Sequence, residues 1–585
     1  MKATGTIDHS GRQLESLELP AEHRAAWPMS LIVPNTSALL LAMGVVGALA
    51  IFLLQVALIL DYTVDDAFIS YRYAQSLASG MGLVFNEGER VEGYTNFLWV
   101  LMLAGAAKLG ADPETASKVL GLAFAFGTMA VAYLLGRALR QPPYPVAGLA
   151  AMALLAVNPA FATWAVGGLE TMSMAFFVTL GVYLYLREQR GGAPLSALPL
   201  LAAALTRPEG FGLWALTLIH RLIVRWRSSP QDRGSVQKEL AFVGLFVVPY
   251  VAFLTWRLVY YGSLLPNTYY ARGGGGLEQL RGGLSYGFQF ATEPANLAFW
   301  LIAPFVWLAW RKGALTSKHN YLSLVVASYL GYIILAGWDW MPAWRFFVPV
   351  LPLMAVMAQD VIAQVWRNVA DRAQDLSFRV IALAAAGFAA ALLLLLSGIT
   401  FTRSYDTLIG WQVAYSQANR TTALFLSEQA GPDASFAVMD AGVLPYYSGL
   451  RTIDLAGLTD SHIGRLPGKL TNKTDVDYVL DKNPTFVELQ LYGAFPLRAM
   501  PTDAQAGLPS FEDAQLFELP ENTEMASMAG YGPFLSNAYL SSERFRREYR
   551  LWFAYLPNSQ DSDSGRYVLI FSRLEALAME RSSHD

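Results

Sequence analysis

Two adjacent carboxylates, Asp65 and Asp66, stand in the stretch DYTVDDAFISYRYAQSLASG, a few residues after a long apolar segment ends. A carboxylate held beside a hydroxyl can take its proton and make it a nucleophile. Two side by side raise one pKa or hold a divalent cation. Either Asp also suits a helix N-cap, a role that accounts for one of them better than for both. Charged and aromatic residues recur in a few other short segments: Glu170 in GGLET, Arg207 and Glu209 in TRPEG, Tyr260, Tyr261 and Asn267 in YYGSLLPN, and Asp339 and Arg345 in WDWMPAWR. The planar, permanently charged guanidinium suits a phosphate. Arg207 and Arg345 therefore fit a phosphate-binding role, with pairing to Glu209 or Asp339 as the structural alternative. Arg72, about two turns past the acidic pair, suits a carboxylate, a phosphate or an intrahelical ion pair. Tyr260, Tyr261 and Asn267 suit sugar or headgroup contacts, although Tyr is common at membrane interfaces without any such role. Glu170, beside two glycines, fits a cavity wall or a helix cap equally. Cysteine is absent, which excludes thiol catalysis and thiolate metal sites. No cofactor is required by these residue types; a divalent cation at the acidic pair is the one they allow.

The elements that position these residues follow from composition. Of 585 residues 54% are apolar and 15% charged, against about a quarter charged in an ordinary soluble protein. The apolar residues fall in blocks of about twenty, enough for a helix to cross a hydrocarbon core. The blocks lie near 37–60, 115–136, 144–162, 171–187, 193–206, 210–224, 239–259, 294–310, 320–336, 346–365 and 379–400. Five connections are basic, carrying Arg137 and Arg140, Arg187 and Arg190, Arg221 to Lys238, Arg311 to Lys318, and Arg367 and Arg372. Lys and Arg collect in cytoplasmic loops, and all five share one side only if 96–110 lies flat in the outer interface. The expectation is a polytopic α-helical membrane protein of about 11 spans with a cytoplasmic N-terminus. Its parts are a tail at 1–36, a membrane catalytic domain at 37–401 and an extracytoplasmic α/β domain at 402–585. That topology gathers every candidate residue named above on the outer face, where ionisable groups at span ends mark a wet cavity. The net charge of −4, without a basic stripe, excludes nucleic acid as a partner.

The acidic pair after the first span is followed by SYRYAQSLASGMGLVFNEGERVEGYTNFLW, a segment that resembles the GT-C superfamily of polyprenyl-phosphate-sugar-dependent glycosyltransferases. GGLE, RPEG, YYGSLLPNT and WDWMPAWRF extend the resemblance, which is nearest the branch containing the terminal arabinofuranosyltransferases of mycobacterial cell walls. The resemblance implies a membrane enzyme of the inner (plasma) membrane that takes a polyprenyl-phosphate sugar donor and a glycan or lipid acceptor. It also implies inverting transfer on the outer face, with Asp65 or Asp66 as base. The alternative class is a transporter, flippase or ligase of lipid-linked sugars. A transporter is expected to show paired repeats and charges near the midplane, and neither is visible here. Single cysteines in this cysteine-free chain test the topology: an impermeant thiol reagent on intact cells is expected to label position 560 and spare position 228. The reverse pattern would overturn the orientation.

Overall fold

The computed structural model describes residues 34–139, 148–189, 191–228, 235–272, 275–311, 318–372, 376–468, 472–493, 497–521, 523–557 and 565–574. Residues 1–33 of the expected tail, 229–234 of the basic loop at 225–238 and parts of the other basic connections lie outside the described residues. The helical part runs through α1 (Pro34–Leu58), α2 (Asp65–Ala78), α3 (Phe97–Lys108), α4 (Pro113–Ala138), α5 (Leu149–Ala156), α6 (Pro159–Val166), α7 (Thr171–Glu188), α8 (Ala197–Thr206) and α9 (Glu209–Arg227). It continues with α10 (Val236–Tyr261), α11 (Asn267–Arg272), α12 (Leu277–Thr292), α13 (Ile302–Arg311), α14 (Lys318–Ala336), α15 (Leu351–Arg372) and α16 (Leu376–Ser404). Among the described residues four helices are long and apolar enough to cross a membrane, or five if the bent α5–α6 pair counts as one span. Five shorter apolar helices accompany them. The segment read as flat is α3, only 12 residues long, or about 18 Å at 1.5 Å per residue.

Local sequence sets the helix boundaries. α4 begins where the Asp112 side chain accepts from the Thr115 N–H at 2.9 Å, with Pro113 in the first helical position, where its missing N–H costs nothing. Asn158–Pro159 interrupts the third apolar block: the ring of Pro159 cannot continue α5, Asn158 caps α6, and the two helices meet at 68°. Gly80 and Gly82, at φ of 86° and 93°, end α2 in the left-handed region as their positions predict.

Beyond α16 the chain forms an α/β unit with α17 (Gly410–Gln429), α18 (Val443–Ser448) and a seven-stranded sheet. The strands are β1 (Ser435–Val438), β2 (Arg451–Asp454), β3 (Phe486–Tyr492), β4 (Arg498–Ala499), β5 (Gln515–Glu518), β6 (Tyr549–Leu556) and β7 (Arg566–Arg573), in spatial order β2-β1-β3-β7-β6-β5-β4. β1 pairs parallel with β2 and β3, and every other pairing is antiparallel. β6 and β7 pair as an antiparallel hairpin, with a register shift between Leu551 and Phe553.

The Phe68–Tyr71–Leu77 pattern predicts an α2 that lies on the membrane. Instead α2 is enclosed by protein. Phe68 and Tyr71 are buried, and Phe68 meets Tyr446 and Tyr447 of α18 at ring distances of 5.4 and 5.6 Å. The apolar face reads the same for lipid or for a docked domain, so periodicity alone could not separate them. Arg72 fastens the joint. Its guanidinium donates to the carbonyls of Phe85 at 2.8 Å, Pro445 at 2.6 Å and Leu450 at 2.8 Å, and reaches the side chains of Asn86 and Thr452. Replacing Arg72 with Met strands these buried carbonyls, each costing about 1–3 kcal/mol. Arg72→Met is expected to lower the melting temperature of the sheet domain and expose it to limited proteolysis. Unchanged melting and proteolysis would show that the strap is not what holds the domain.

Candidate active site

The acidic pair opens α2, but it does not cap it. The N-cap is Val64, and neither side chain accepts from the helix's own N–H groups. Consecutive helical residues point about 100° apart, and the two carboxylates diverge accordingly. Asp65 turns to the sheet domain, where its Oδ1 accepts from the Val443 N–H at 2.9 Å. A Cβ at Gly442 would overlap that carboxylate, so the loop can approach only because 442 is glycine. Asp66 makes no hydrogen bond or ion pair with another described residue. It lies within the fields of Arg345, Arg272 and Asp339. Burial pushes the Asp66 carboxyl above its ordinary pKa against the pull of Arg345 and Arg272. Asp65 is pushed well above by burial and then by repulsion from Asp440, with the Val443 N–H opposing.

The residues facing Asp66 come from separated helices. The loop of GGLE lies under α2: the Val64 N–H donates to the Gly167 carbonyl at 3.2 Å, and Trp99 Nε1 donates to the Gly168 carbonyl at 3.2 Å. Glu170 is thereby placed to pair with Arg207 at 2.7 Å, while its other oxygen accepts from Asn96 at 2.7 Å. Arg207 also holds Glu209 at 2.5 Å. Asp339 and Arg345 approach to 2.8 Å, and all three pairs are buried. The nearest atoms of the last pair, Arg345 Nε and Asp339 Oδ2, are not aligned as a hydrogen bond, which leaves both buried and unsatisfied within the protein. Arg345 follows two residues in the left-handed region, Ala343 at φ 56° and Trp344 at φ 45°. Strain of this kind costs of order 1–3 kcal/mol per residue and persists where the surroundings dictate it; here Trp164 Nε1 donates to the Ala343 carbonyl at 3.3 Å.

Arg272, at the end of α11, escaped the sequence reading. It is densely surrounded by protein yet keeps an accessible side chain, as a group hanging into a cleft does. It senses Arg345, Asp66 and Asp339, and has no ion-pair or hydrogen-bond partner among the described residues. Its signal was a lone Arg closing the aromatic run NTYYAR. Beside this charged cluster lies an apolar cavity of about 440 Å³, walled by Phe290, Phe299, Trp300, Leu330, Phe347 and Met354. Phe347, in its wall, is two residues from Arg345.

Four candidates are placed elsewhere. Arg72 serves the domain joint. Tyr260 OH accepts from the Leu83 N–H at 3.1 Å, and Tyr261 OH donates to the Leu83 carbonyl at 2.8 Å, so the pair holds the loop after α2. Asn267 donates to the carbonyls of Gly457, Leu458 and Asp460 at 2.9–3.1 Å, a second tie to the sheet domain. Among the described residues no three His, Asp or Glu side chains are grouped to hold a metal ion.

Comparison with known proteins agrees with this architecture. The chain has the fold of ArnT from Cupriavidus metallidurans bound to undecaprenyl phosphate, with a TM-score of 0.53 at 14% identity over 81% of this chain and 95% of that one. It also matches the apo oligosaccharyltransferase of Archaeoglobus fulgidus, with a TM-score of 0.50 at 12% identity over 90% and 89%. What the chain shares with both is the fold: a helical unit followed by an α/β unit. In sequence, the chain is 30% identical over 230 residues to the terminal β-(1→2)-arabinofuranosyltransferase of Mycobacterium tuberculosis, a match spanning 36% of this chain and 35% of that relative. Residues 409–552 match a family described as a domain of unknown function (DUF8728).

Arg272 is the one cation of the cluster that a phosphate meets without breaking an existing pair. Arg272→Met is expected to weaken retention of undecaprenyl phosphate by the purified protein about tenfold or more, with Arg272→Lys between it and the parent because the charge survives while the fork is lost. Equal retention by parent and Met variant would remove Arg272 from phosphate binding.

Proposed function

We propose that the protein is a membrane glycosyltransferase that moves a sugar from a polyprenyl-phosphate donor to a glycan or lipid acceptor at the outer side of the inner membrane. The observation that carries this reading is the unpaired Asp66 carboxylate in the fields of Arg345 and Arg272, with an apolar cavity whose wall includes Phe347, two residues from Arg345. An isoprenoid chain fits the cavity, its phosphate fits the guanidinium groups, and the sugar carbon attached to that phosphate then lies toward Asp66. The proposed orientation, with the N-terminus cytoplasmic and the sheet domain outside, follows from the basic loops.

In the proposed reaction Asp66 takes the proton of an acceptor hydroxyl as its oxygen attacks the anomeric carbon. The bond from that carbon to the phosphate oxygen breaks, and polyprenyl phosphate leaves with the electron pair, its charge met by Arg272 and Arg345. One displacement inverts the anomeric configuration. Asp65 is the poorer base because its carboxylate already accepts from Val443 N–H and faces away from the cations. Arg207 acts indirectly: its pairs with Glu170 and Glu209 fix the floor under α2.

The raised pKa of Asp66 keeps it partly protonated at acidic pH, so turnover is expected to rise with pH through that pKa. Asn at 66 keeps the shape but accepts no proton. Transfer from a polyprenyl-phosphate sugar is expected to fall about 10²–10⁴-fold in Asp66→Asn, with donor binding retained and a smaller loss in Asp65→Asn. Near-parental rates in Asp66→Asn would rule out this base.

A further inference from the structure

The side of the acidic pair that faces the sheet domain holds a second cluster, which the proposed reaction does not use. In the sheet, β1 is the point where the connections part: the chain leaves β1 to form β2 on one side, then crosses back to form β3 on the other. Open α/β sheets bind ligands in the crevice outside the carboxyl ends of the strands at such a point. Here Asp440 lies just past the end of β1, Gln490 and Tyr492 at the end of β3, and Arg566 at the start of β7, opposite Tyr492. Asp65 rests on the loop containing Asp440 and Gly442, so this end of the sheet lies against the acidic pair.

The residues there make a recognition surface for hydroxyls. Arg566 donates to Asp440 Oδ2 at 2.6 Å and to Gln490 Oε1 at 2.7 Å. Tyr415 OH and Gln490 Nε2 converge on the same Asp440 oxygen. Asp440 Oδ1 has no hydrogen-bond partner among the described residues, and the Asp440 side chain remains 27% exposed. The Arg566 guanidinium lies 4.8 Å from the ring of Tyr415 and 5.7 Å from those of Trp411 and Tyr492. Tyr492 is 45% exposed, an open ring at the rim of an otherwise satisfied network. Aromatic rings beside carboxylate and guanidinium groups fit a sugar, whose C–H faces pack on rings while its hydroxyls bond in the plane. Charge narrows the ligand further. Asp65, Asp440 and Glu488 share one cation, Arg566, so an anionic ligand is repelled.

We propose that this switch-point crevice is the acceptor subsite, binding a neutral sugar of the acceptor glycan through Tyr492, Trp411, Asp440 and Arg566 and passing its hydroxyl across Asp65 to Asp66. The assignment of a substrate role rests on the glycosyltransferase reading above; the binding itself does not.

The test is equilibrium binding to the full-length protein in detergent, without donor. The probes are neutral octyl oligosaccharides of arabinofuranose, galactose, mannose and glucose, with undecaprenyl phosphate as the control ligand. At least one neutral oligosaccharide is expected to bind saturably. Tyr492→Ala should weaken it about tenfold, the equivalent of one lost ring contact. Asp440→Asn should weaken it as well, Tyr492→Phe, which keeps the ring, should weaken it less than Tyr492→Ala, and undecaprenyl phosphate binding should not follow the loss of glycan binding in any of the three. No saturable binding by the parent, or equal glycan binding by parent and Tyr492→Ala, overturns the subsite. Glycan binding with these variant effects in a protein that transfers no sugar would overturn the glycosyltransferase reading and leave the subsite standing.

Discussion

The arrangement depends on the opening turn of α2, where helical geometry forces two neighbouring carboxylates apart. At 100° per residue, Asp65 and Asp66 cannot serve the same partner, and the protein gives each a different environment. Asp66 meets cations contributed by the membrane helices; Asp65 meets a backbone N–H and an acidic cluster contributed by the sheet domain. A helix start is a stable place for such a division, since acidic side chains in the first turn are favoured by the helix dipole whichever way they point. The rest of the fold serves to hold α2 in that position: the Gly167–Gly168 loop beneath it, α18 above it, and the Arg72 strap at its far side.

Holding so many charges at the ends of apolar helices has a cost, and the structure shows how it is offset. Glu170, Arg207 and Glu209 form a chain in which every charge has an opposite neighbour, and Asn96 fills the remaining valence of Glu170. Pairs of this kind add little net stability, because desolvation cancels most of the attraction. Their contribution is position: breaking one leaves a buried charge, so the geometry has few alternatives. Arg345 and Asp339 are less complete, with two unsatisfied atoms and two left-handed residues just before. Strain and unmet polarity in one place mark a site shaped for something other than stability.

Much of this was legible in the sequence because the signals are local. Apolar block length showed that the first two thirds of the chain is helical, and WDWMPAWR and TRPEG named residues that the fold brings into one cluster. What was not legible depends on long-range docking. Arg72 reads as a phosphate ligand or an ion-pair partner until the Phe85 carbonyl of the loop after α2 and those of Pro445 and Leu450, more than 370 residues away in sequence, surround it. Tyr260, Tyr261 and Asn267 sit in a motif suited to sugar contacts, yet their polar atoms are taken by Leu83 and by the loop after β2. Arg272 was passed over for the opposite reason: a single Arg next to glycines looks like an ordinary loop residue until its lack of a partner is seen.

The two clusters also sort ligands by charge. Around Asp66 three arginines stand among four carboxylates, and one of the arginines, Arg272, is unpaired among the described residues. Around Asp65 three carboxylates face one arginine that already has partners. A phosphate would therefore meet an unpaired cation on the first side and none on the second, while an uncharged sugar would displace no ion pair on the second. In a partly desolvated cleft these differences are amplified, because charges a few ångströms apart interact several times more strongly than in water. In the proposed reaction this division sets the direction of approach: the lipid-linked donor comes from the apolar cavity and the acceptor glycan from the sheet domain. A displacement at carbon needs its nucleophile and leaving group on opposite sides of the reacting atom, so the proposal requires the acceptor hydroxyl to reach the sugar from the Asp65 side, with the phosphate held by Arg272 and Arg345 beyond it.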